Sequence, residues 1–465
     1  MKTIVIIGAG FSGTVLAAHL LTLPRVEPLQ VLLLNRSGAQ GRGVAYGTRS
    51  AKHILNVPAG NMSAISTNPG HFLDYCRQVD ALVRPESFVS RRMYGEYLEW
   101  LLAGAASRSE STASLARLEA EVICIQQTHA SGPDRRLSIK LSNGETILAD
   151  ETVLAVGNFP PCNPPVADAS FYSSSRYVGD PWAPGTLDVI PPQADVLLLG
   201  TGLTAVDVAA QLAQAGPRRQ CYAVSRRGLL PHPHRTARGP TNAGDPRDLV
   251  DSMGSDVRSY VRVLREHIRV CTEDGLNWRD VLASLRQDTP ELWRRLNRQE
   301  QRRFLRHIQS YWDVHRHRLA PEADLYLHGL LTSGLLQLIR GRVTSYQESL
   351  NHVDICIQLR GGTHVRNVRV GYVINCTGPA TDLRRIDDRL ISQLLKDGLI
   401  SPDMLGLGLR TSDAYECLDA KGESFTGLRY IGPLLKARYW EATAVPELRV
   451  HAEALARLLL KDRLV

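Results

Sequence analysis

The sequence contains no Cys-x-x-Cys pair, and its eight cysteines, at 76, 124, 162, 221, 271, 356, 376 and 417, are scattered. Neither a redox dithiol nor a zinc framework follows from such spacing, and the pattern fits a reducing, cytoplasmic compartment. Long uncharged apolar runs are also missing, so no segment reads as membrane-spanning. The opening MKTIVIIGAGFSGTVLAAHL comes nearest to a secretory leader, but glycines interrupt it and His19 stands where a small-residue cleavage site belongs. Charge of one sign is scarce. The net charge is +8 over 465 residues, with acidic residues among the arginines, which argues for solvated faces and a few anion sites rather than a nucleic-acid footprint. No low-complexity tract or short-period repeat occurs. The remainder, 43% hydrophobic and 22% charged, is a globular chain long enough for two or three domains.

What the chain does contain is one pattern, twice. The β-branched run 3–7 (TIVII) predicts a buried parallel strand, followed by GAGFSG, a helix to about Leu23, and a second strand, LQVLLLN (29–35). This is the βαβ dinucleotide-binding unit. In Gly8-x-Gly10-x-x-Gly13, Gly8 permits the tight turn, Gly10 lets a pyrophosphate approach the backbone, and Gly13 lets the helix pack on the strand. Phe11, Ser12 and Gly13 open the helix, whose N-terminus then faces the phosphates. The second strand ends in Asn35-Arg36-Ser37, where an acid normally grips the ribose hydroxyls. An amide still bonds a hydroxyl without charge assistance, and the same three residues also suit a 2′-phosphate, so FAD here needs other support.

The second copy is ADVLLLGTGLTAVDVAAQLA (194–213). Gly200-x-Gly202-x-x-Ala205 repeats the fingerprint, Leu203 and Thr204 begin the helix, and Ala205 widens the helix–strand packing slightly. Its second strand ends in Ser225-Arg226-Arg227 with no acid. An Asp would repel a 2′-phosphate, whereas Ser and Arg bind one, so the site prefers NADPH to NADH. The competing reading of the two arginines is a solvated strand end.

Each copy is followed by a β-meander and a return strand. Residues 91–118 read as helix, and then EVICIQQ, RRLSIKLSNGETILAD with its Asn143-Gly144 hairpin signal, and ETVLAVGN. A polar, Arg- and Trp-rich helical stretch fills about 247–318, where Trp278, Trp293 and Trp312 read as packing residues. The predicted fold is therefore α/β: two Rossmann-like dinucleotide-binding domains with β-meanders, the second inserted into the first, plus a helical insertion. The expected domains are 1–165 and 330–465 for FAD, and 166–329 for NADPH with a substrate-side insertion.

VLAVGNFPP (153–161) and VINCTGP (373–379), the latter containing Gly378, resemble the hinges of two-dinucleotide flavin monooxygenases, a class that includes N-hydroxylating enzymes. GRGVAYGT (41–48), HILNVPAGNMSA (53–64), SRRGLLPHPH (225–234), RFLRHIQSYWDVHRHR (303–318) and YWEATAVPELR (439–449) are similar to the bacterial FAD–NAD(P)-binding protein family over nearly the whole chain. The resemblance implies FAD at the first site and NADPH at the second. It supplies no substrate, although some relatives N-oxygenate amino acids.

It also implies roles for particular residues. Gly41, Arg42 and Gly43 resemble the loop along the FAD diphosphate, where Arg42 pairs with phosphate or is a surface residue. Leu55, Asn56, Pro58 and Met62 resemble a looser flavin-monooxygenase pattern in which an Asn faces the reactive flavin edge. Asn56 is thus the catalytic candidate, with Met62 filling an apolar gap; the alternative is a structural loop beneath the cofactor. Thr443, Ala444 and Val445 would present a helix N-terminus to the flavin pyrimidine, stabilising negative charge there. Trp440 and Glu441 either wall that site or serve as core aromatic and capping acid. His315–Arg318, His232, His234 and Arg235 either anchor an anion or are structural.

Without a dithiol, NADPH would reduce FAD, and reduced flavin with dioxygen would give a C4a-hydroperoxide that oxygenates an amine or amino acid nitrogen. A flavin reductase passing electrons to a partner, and a non-catalytic flavin-binding sensor, remain alternatives. No metal site, nucleic acid or membrane partner is expected, and the oligomeric state is not legible.

Overall fold

The computed structural model describes residues 1–37, 41–48, 50, 53–109, 112–128, 136–214, 219–235 and 245–461. The chain divides into two compact units, one comprising Met1–Ala51, Val57–Phe159 and Thr381–Val465, the other Lys52–Asn56 and Pro160–Ala380. The second is inserted in the sequence of the first, as expected. No helix among the described residues is long and apolar enough to cross a membrane.

The first unit is built on a six-stranded sheet, ordered Glu416–Leu418, Ser424–Tyr430, Glu151–Leu154, Lys2–Ile7, Leu29–Asn35, Ala113–Glu119. All neighbours are parallel except the first pair. Ile4, Val5 and Ile6 are fully buried, which a parallel strand covered on both faces requires. The helix Phe11–Thr22 is buried along nearly its whole length, against the helices Arg91–Arg108 and Val445–Leu460. The expected helix over 91–118 stops at Arg108, and 113–119 is a strand instead. ASLARLE has helix-favouring composition, but its backbone pairs in parallel with the edge of Leu29–Asn35, and that tertiary pairing overrides local preference. The meander Val122–Gln127, Leu137–Leu141, Thr146–Ala149 forms a separate three-stranded sheet, with Gly144 at φ +91° in its hairpin.

The second unit carries seven strands, ordered Val365–Val370, Val353–Leu359, Leu336–Glu348, Cys221–Ser225, Val196–Leu199, Tyr372–Asn375, Tyr177–Val178. The strand Leu336–Glu348 joins two regimes: its first part runs parallel to Cys221–Ser225, and its second pairs antiparallel with Val353–Leu359. This pairing moves the expected boundary at 330 to Ala380. The strands of 336–375 lie in the second sheet, and only Thr381–Val465 returns to the first unit. The helical insertion runs from Pro246–Ser252 to Gln309–Arg316 and has its own core of Leu249, Val250, Met253, Val281, Leu285 and Leu292. Trp293 is buried there, edge-on to Phe304, as the packing reading expects.

Candidate functional site

Each fingerprint is set by a crossing of the return strand. Gly8 N donates to Leu34 O and Ala155 N to Ile7 O, both at 2.8 Å. Gly8 has φ +109°, and a Cβ there would lie 2.3 Å from Ala155 O. A Cβ on Gly13 would lie 1.9 Å from Gly8 O, so the helix rests directly on the turn. The second unit repeats this geometry. Gly200 has φ +116°, a Cβ on it would lie 2.5 Å from Cys376 O, and Cys376 N donates to Leu199 O at 2.9 Å. Gly10 and Gly202 differ in kind: a Cβ on Gly10 meets only Gly43 Cα, at 3.7 Å, and one on Gly202 meets nothing within 4 Å. Their missing side chains therefore serve something other than packing. The helix Phe11–Thr22 starts at Gly10 with no side-chain cap and no acid in its first turn, so its leading N–H groups suit a phosphate. Gly378 has φ +90° with open space where a Cβ would be, on the loop after the second return strand.

Around the first fingerprint, several candidate polar residues are already engaged. Asn35 Nδ2 donates to Ser37 Oγ at 3.1 Å. Arg36 pairs with Asp388 at 3.3 Å on the surface. Arg42 makes a two-point bond to Glu99, Nε–Oε1 2.7 Å and Nη2–Oε2 3.0 Å, which raises its pKa. This carboxylate, supplied by the helix Arg91–Arg108, ties down the 41–47 loop. Gly95 on that helix makes room, since a Cβ there would sit 2.8 Å from Tyr46 O. Gly41 and Gly43 both have positive φ, +87° and +55°, and a Cβ on Gly43 would press Gly10 Cα at 3.0 Å. The loop therefore reaches the fingerprint through two facing glycines.

In the second unit, Ser225 and Arg227 are engaged within the fold. Ser225 Oγ accepts from Gly228 N at 3.0 Å and bonds Thr201 Oγ1 at 2.9 Å, closing the turn after its strand. Arg227 donates to His307 O at 2.8 Å and Arg306 O at 2.6 Å, and lies over Tyr311 at 4.8 Å. Phe304–Ile308 is a π-turn. The Arg227 fork reaches two of its carbonyls. Arg226 is exposed, and its backbone carbonyl accepts from Arg360 Nη1 at 3.4 Å. Arg340 pairs with Ser225 in the sheet register and is exposed. Arg226, Arg340 and Arg360 thus gather at one strand end. Sequence reading missed Arg340 and Arg360 because the two strands that bring them arrive more than a hundred residues later.

The loop 53–65 changes unit after Asn56. Its first part is held in the second unit. The buried His53 ring lies edge-on to Trp182 at 5.4 Å, and Asn56 O is 3.0 Å from His234 Nε2. A carbonyl only accepts, so Nε2 carries the proton. Burial pushes His234 down to about 4, which keeps it neutral. The HPH stretch is itself fixed, with His234 N donating to Leu319 O and Leu319 N to His232 O, both at 2.9 Å. This resolves the role of His234: it holds the backbone of Asn56.

The second part belongs to the first unit. Ala59 N and Gly60 N donate at 2.8 Å to Ser87 O and Pro85 O, and a Cβ on Gly60 would lie 3.0 Å from Pro85. Met62 is buried. Ala64 N donates to Tyr97 Oη at 3.1 Å, and Arg449 Nη1 to Ser63 O at 2.9 Å. Ser66 bonds Glu453. The loop is thus stitched to the helices Arg91–Arg108 and Val445–Leu460.

At the start of that last helix, Ala444 is the N-cap with no side-chain bond, and Pro446 lies in the first turn. Thr443 N donates to Glu441 O at 2.6 Å, so its N–H is engaged; Ala444 and Val445 remain the better donors. Trp440 is buried beneath Lys436, whose Nζ is 4.3 Å from the ring centroid, and Glu441 is buried. Trp440 therefore packs in the core of this segment.

Comparison with known proteins agrees with this geometry. Residues 5–159 match a family model described as FAD-NAD(P)-binding. An L-aspartate N-monooxygenase (nitrosuccinate-forming) of Streptomyces davaonensis is 24% identical over 288 residues, 49% of this chain and 44% of that protein. The match therefore spans less than half of that relative. The fold is similar to an ornithine N-hydroxylase of Kutzneria, with TM-score 0.64, 15% identity, and coverage of 98% of this chain and 97% of that one. It is also similar to L-lysine 6-monooxygenase from Pseudomonas syringae, with TM-score 0.62, 14% identity and 99% coverage of both chains.

Proposed function

We propose, for a chain whose residues 5–159 match the FAD-NAD(P)-binding family model, that it is an FAD- and NADPH-dependent monooxygenase. Its substrate would be a small molecule bearing an amine or amino acid nitrogen. The observation that carries the reading is the doubled crossing, Gly8 under Ala155 and Gly200 under Cys376, each beside a second glycine, Gly10 or Gly202, free of packing demands. The names of the N-monooxygenase and N-hydroxylases above support the reaction class.

In this reading the first unit holds FAD. The N–H groups of Phe11, Ser12 and Gly13 receive the diphosphate, Gly41 and Gly43 pass close to it, and Asn35 meets the ribose. Ala444 and Val445 direct an N-terminal helix dipole toward developing negative charge on the ring. The second unit holds NADPH, with Gly200, Gly202, Leu203 and Thr204 at its diphosphate and Arg226 at its 2′-phosphate, assisted by Arg340 and Arg360. Bound FAD would supply hydride acceptance from NADPH and activation of dioxygen. Asn56 would offer an uncharged amide to the reacting edge, donating and accepting without adding charge. His234 keeps its backbone in place.

The test is anaerobic reduction by NADPH followed by rapid mixing with oxygenated buffer, tracking the flavin spectrum, peroxide and product. An oxygen adduct that persists, and a substrate that converts NADPH use into oxygenated product, are expected. Immediate reoxidation with stoichiometric peroxide under every amine tried would sink the reading. Asn56→Ala should retain FAD yet uncouple NADPH use from product.

A further inference from the structure

We propose that Arg279 and Arg318 form a receptor for a substrate carboxylate, so that the reacting amine belongs to an acidic molecule rather than a cationic one. This rests on the monooxygenase reading for the reaction, but the binding claim stands on the following geometry.

The helix Trp278–Ser284 and the segment after Gln309–Arg316 bring the two guanidinium groups to one indole. Arg279 lies 4.2 Å and Arg318 5.8 Å from the Trp278 centroid. The edges of His232 and His315 meet the same ring at 5.5 and 4.9 Å. Arg318 is only 9% exposed, yet among the described residues it has no ion pair. Its Nε donates to His315 O at 3.1 Å, and Nη2 reaches Arg279 O only at 3.5 Å. Arg279 likewise bonds a backbone carbonyl, Pro233 O at 2.9 Å, and the Asn277 amide oxygen at 3.4 Å, but no carboxylate among the described residues. The acids that act on this group are committed elsewhere. Asp280 is bound by Arg235 at 2.7 Å, and Asp324 faces His328 at 3.3 Å.

A buried cation without a counter-ion is unfavourable in a folded protein. Arg318 is such a cation, and the partly buried Arg279 lies against the same indole; planar guanidinium N–H forks match the two oxygens of a carboxylate. Burial, reinforced by Arg316 and Arg279, lowers Arg318 to about 10, so it is still cationic at neutral pH. The location is specific as well. Arg279 grips Pro233, the neighbour of His234, and His234 holds Asn56 O, all within one unit. An ammonium-bearing side chain brought here meets two like charges, whereas an amine carrying an extra carboxylate meets two complementary ones.

The experiment uses the full-length, FAD-loaded protein. Calorimetric titrations with succinate, 1,4-diaminobutane and inorganic phosphate are compared in the native protein, R318M and R279M. Succinate should bind and the diamine should not. Each variant should weaken succinate by about tenfold to hundredfold, with anaerobic flavin reduction by NADPH unchanged. Should R318M fail to retain flavin, the less buried R279M carries the test. Succinate binding that is absent, or unaffected in folded R279M, overturns the proposal. So does a matching rise in NADPH KM with succinate indifferent, which would make the pair a dinucleotide phosphate contact. Arginine-dependent succinate binding without any oxygenation would refute the monooxygenase reading alone. Coupled oxygenation of a cationic amine with no succinate binding would refute this receptor alone.

Discussion

A methyl group added at Gly8 would lie 2.3 Å from Ala155 O, on a backbone at φ +109°, whereas one added at Gly202 meets nothing within 4 Å. The two substitutions should therefore fail differently. Gly8→Ala should cost about 3 kcal/mol or more and shed flavin, because strand crossing and backbone conformation both resist it. Gly202→Ala should melt within about 2 °C of the native protein while raising the NADPH KM by about tenfold, because a Cβ blocks close approach of a diphosphate. Calorimetry and steady-state kinetics on the same samples decide it, and an unchanged KM would remove NADPH from this turn. The fingerprint glycines were legible in the sequence because their spacing falls within one short strand–turn–helix segment. The arginines were not. Arg36, Arg42 and Arg227 each read as a phosphate candidate, and each is bonded to a group at least fifty residues away in sequence: Asp388, Glu99, and the carbonyls of Arg306 and His307.

At the end of the strand Cys221–Ser225, adjacent arginines have been given separate work. Arg227 caps the carbonyls of the π-turn Phe304–Ile308, while Arg226 stays in solvent beside Arg340 and Arg360. Arg227→Met should lower unfolding free energy by about 1–2 kcal/mol with little change in the NADPH-to-NADH preference. Arg226→Ala should reverse that pattern, leaving stability alone and cutting the preference by about tenfold. Urea melts and paired kcat/KM values for the two dinucleotides would separate them; loss of preference in the Arg227 variant alone would invert the assignment. Element types were readable where hydrophobic period and glycine agreed, as in Lys2–Ile7 followed by Phe11–Thr22. The strand Ala113–Glu119 escaped because an edge pairing, not its residues, decides its conformation.

Over the whole molecule, partly buried histidines make stability depend on pH. His234 in the second unit and His451 in the first are both pushed down to about 4, chiefly by burial. Both are neutral when folded and titrate near 6.5 when unfolded. Their contribution is complete above pH 6.5 and is lost as pH falls from there toward 4, by about 3 kcal/mol for each histidine. The urea midpoint should hold near pH 7–8 and decline steadily below 6.5; a flat profile down to pH 4.5 would contradict the burial of these rings. The insertion of one unit in the other was legible from the repeated fingerprint. Its far edge was not, because Leu336–Glu348 sides with whichever sheet offers a partner strand, and that is the second.

The doorway of that inserted unit is held shut by one side chain. Asn375 Nδ2 donates to Cys162 O at 3.2 Å, and Asn375 Oδ1 accepts from Thr377 Oγ1 at 2.6 Å. The chain going in and the chain coming out are thus fastened side by side. The long segment Pro160–Ala380 thus begins and ends at neighbouring points, an arrangement that tolerates exchange of what lies between them. In evolutionary terms, the inserted segment is a replaceable cassette, and its helices can diverge without asking the host sheet to refold.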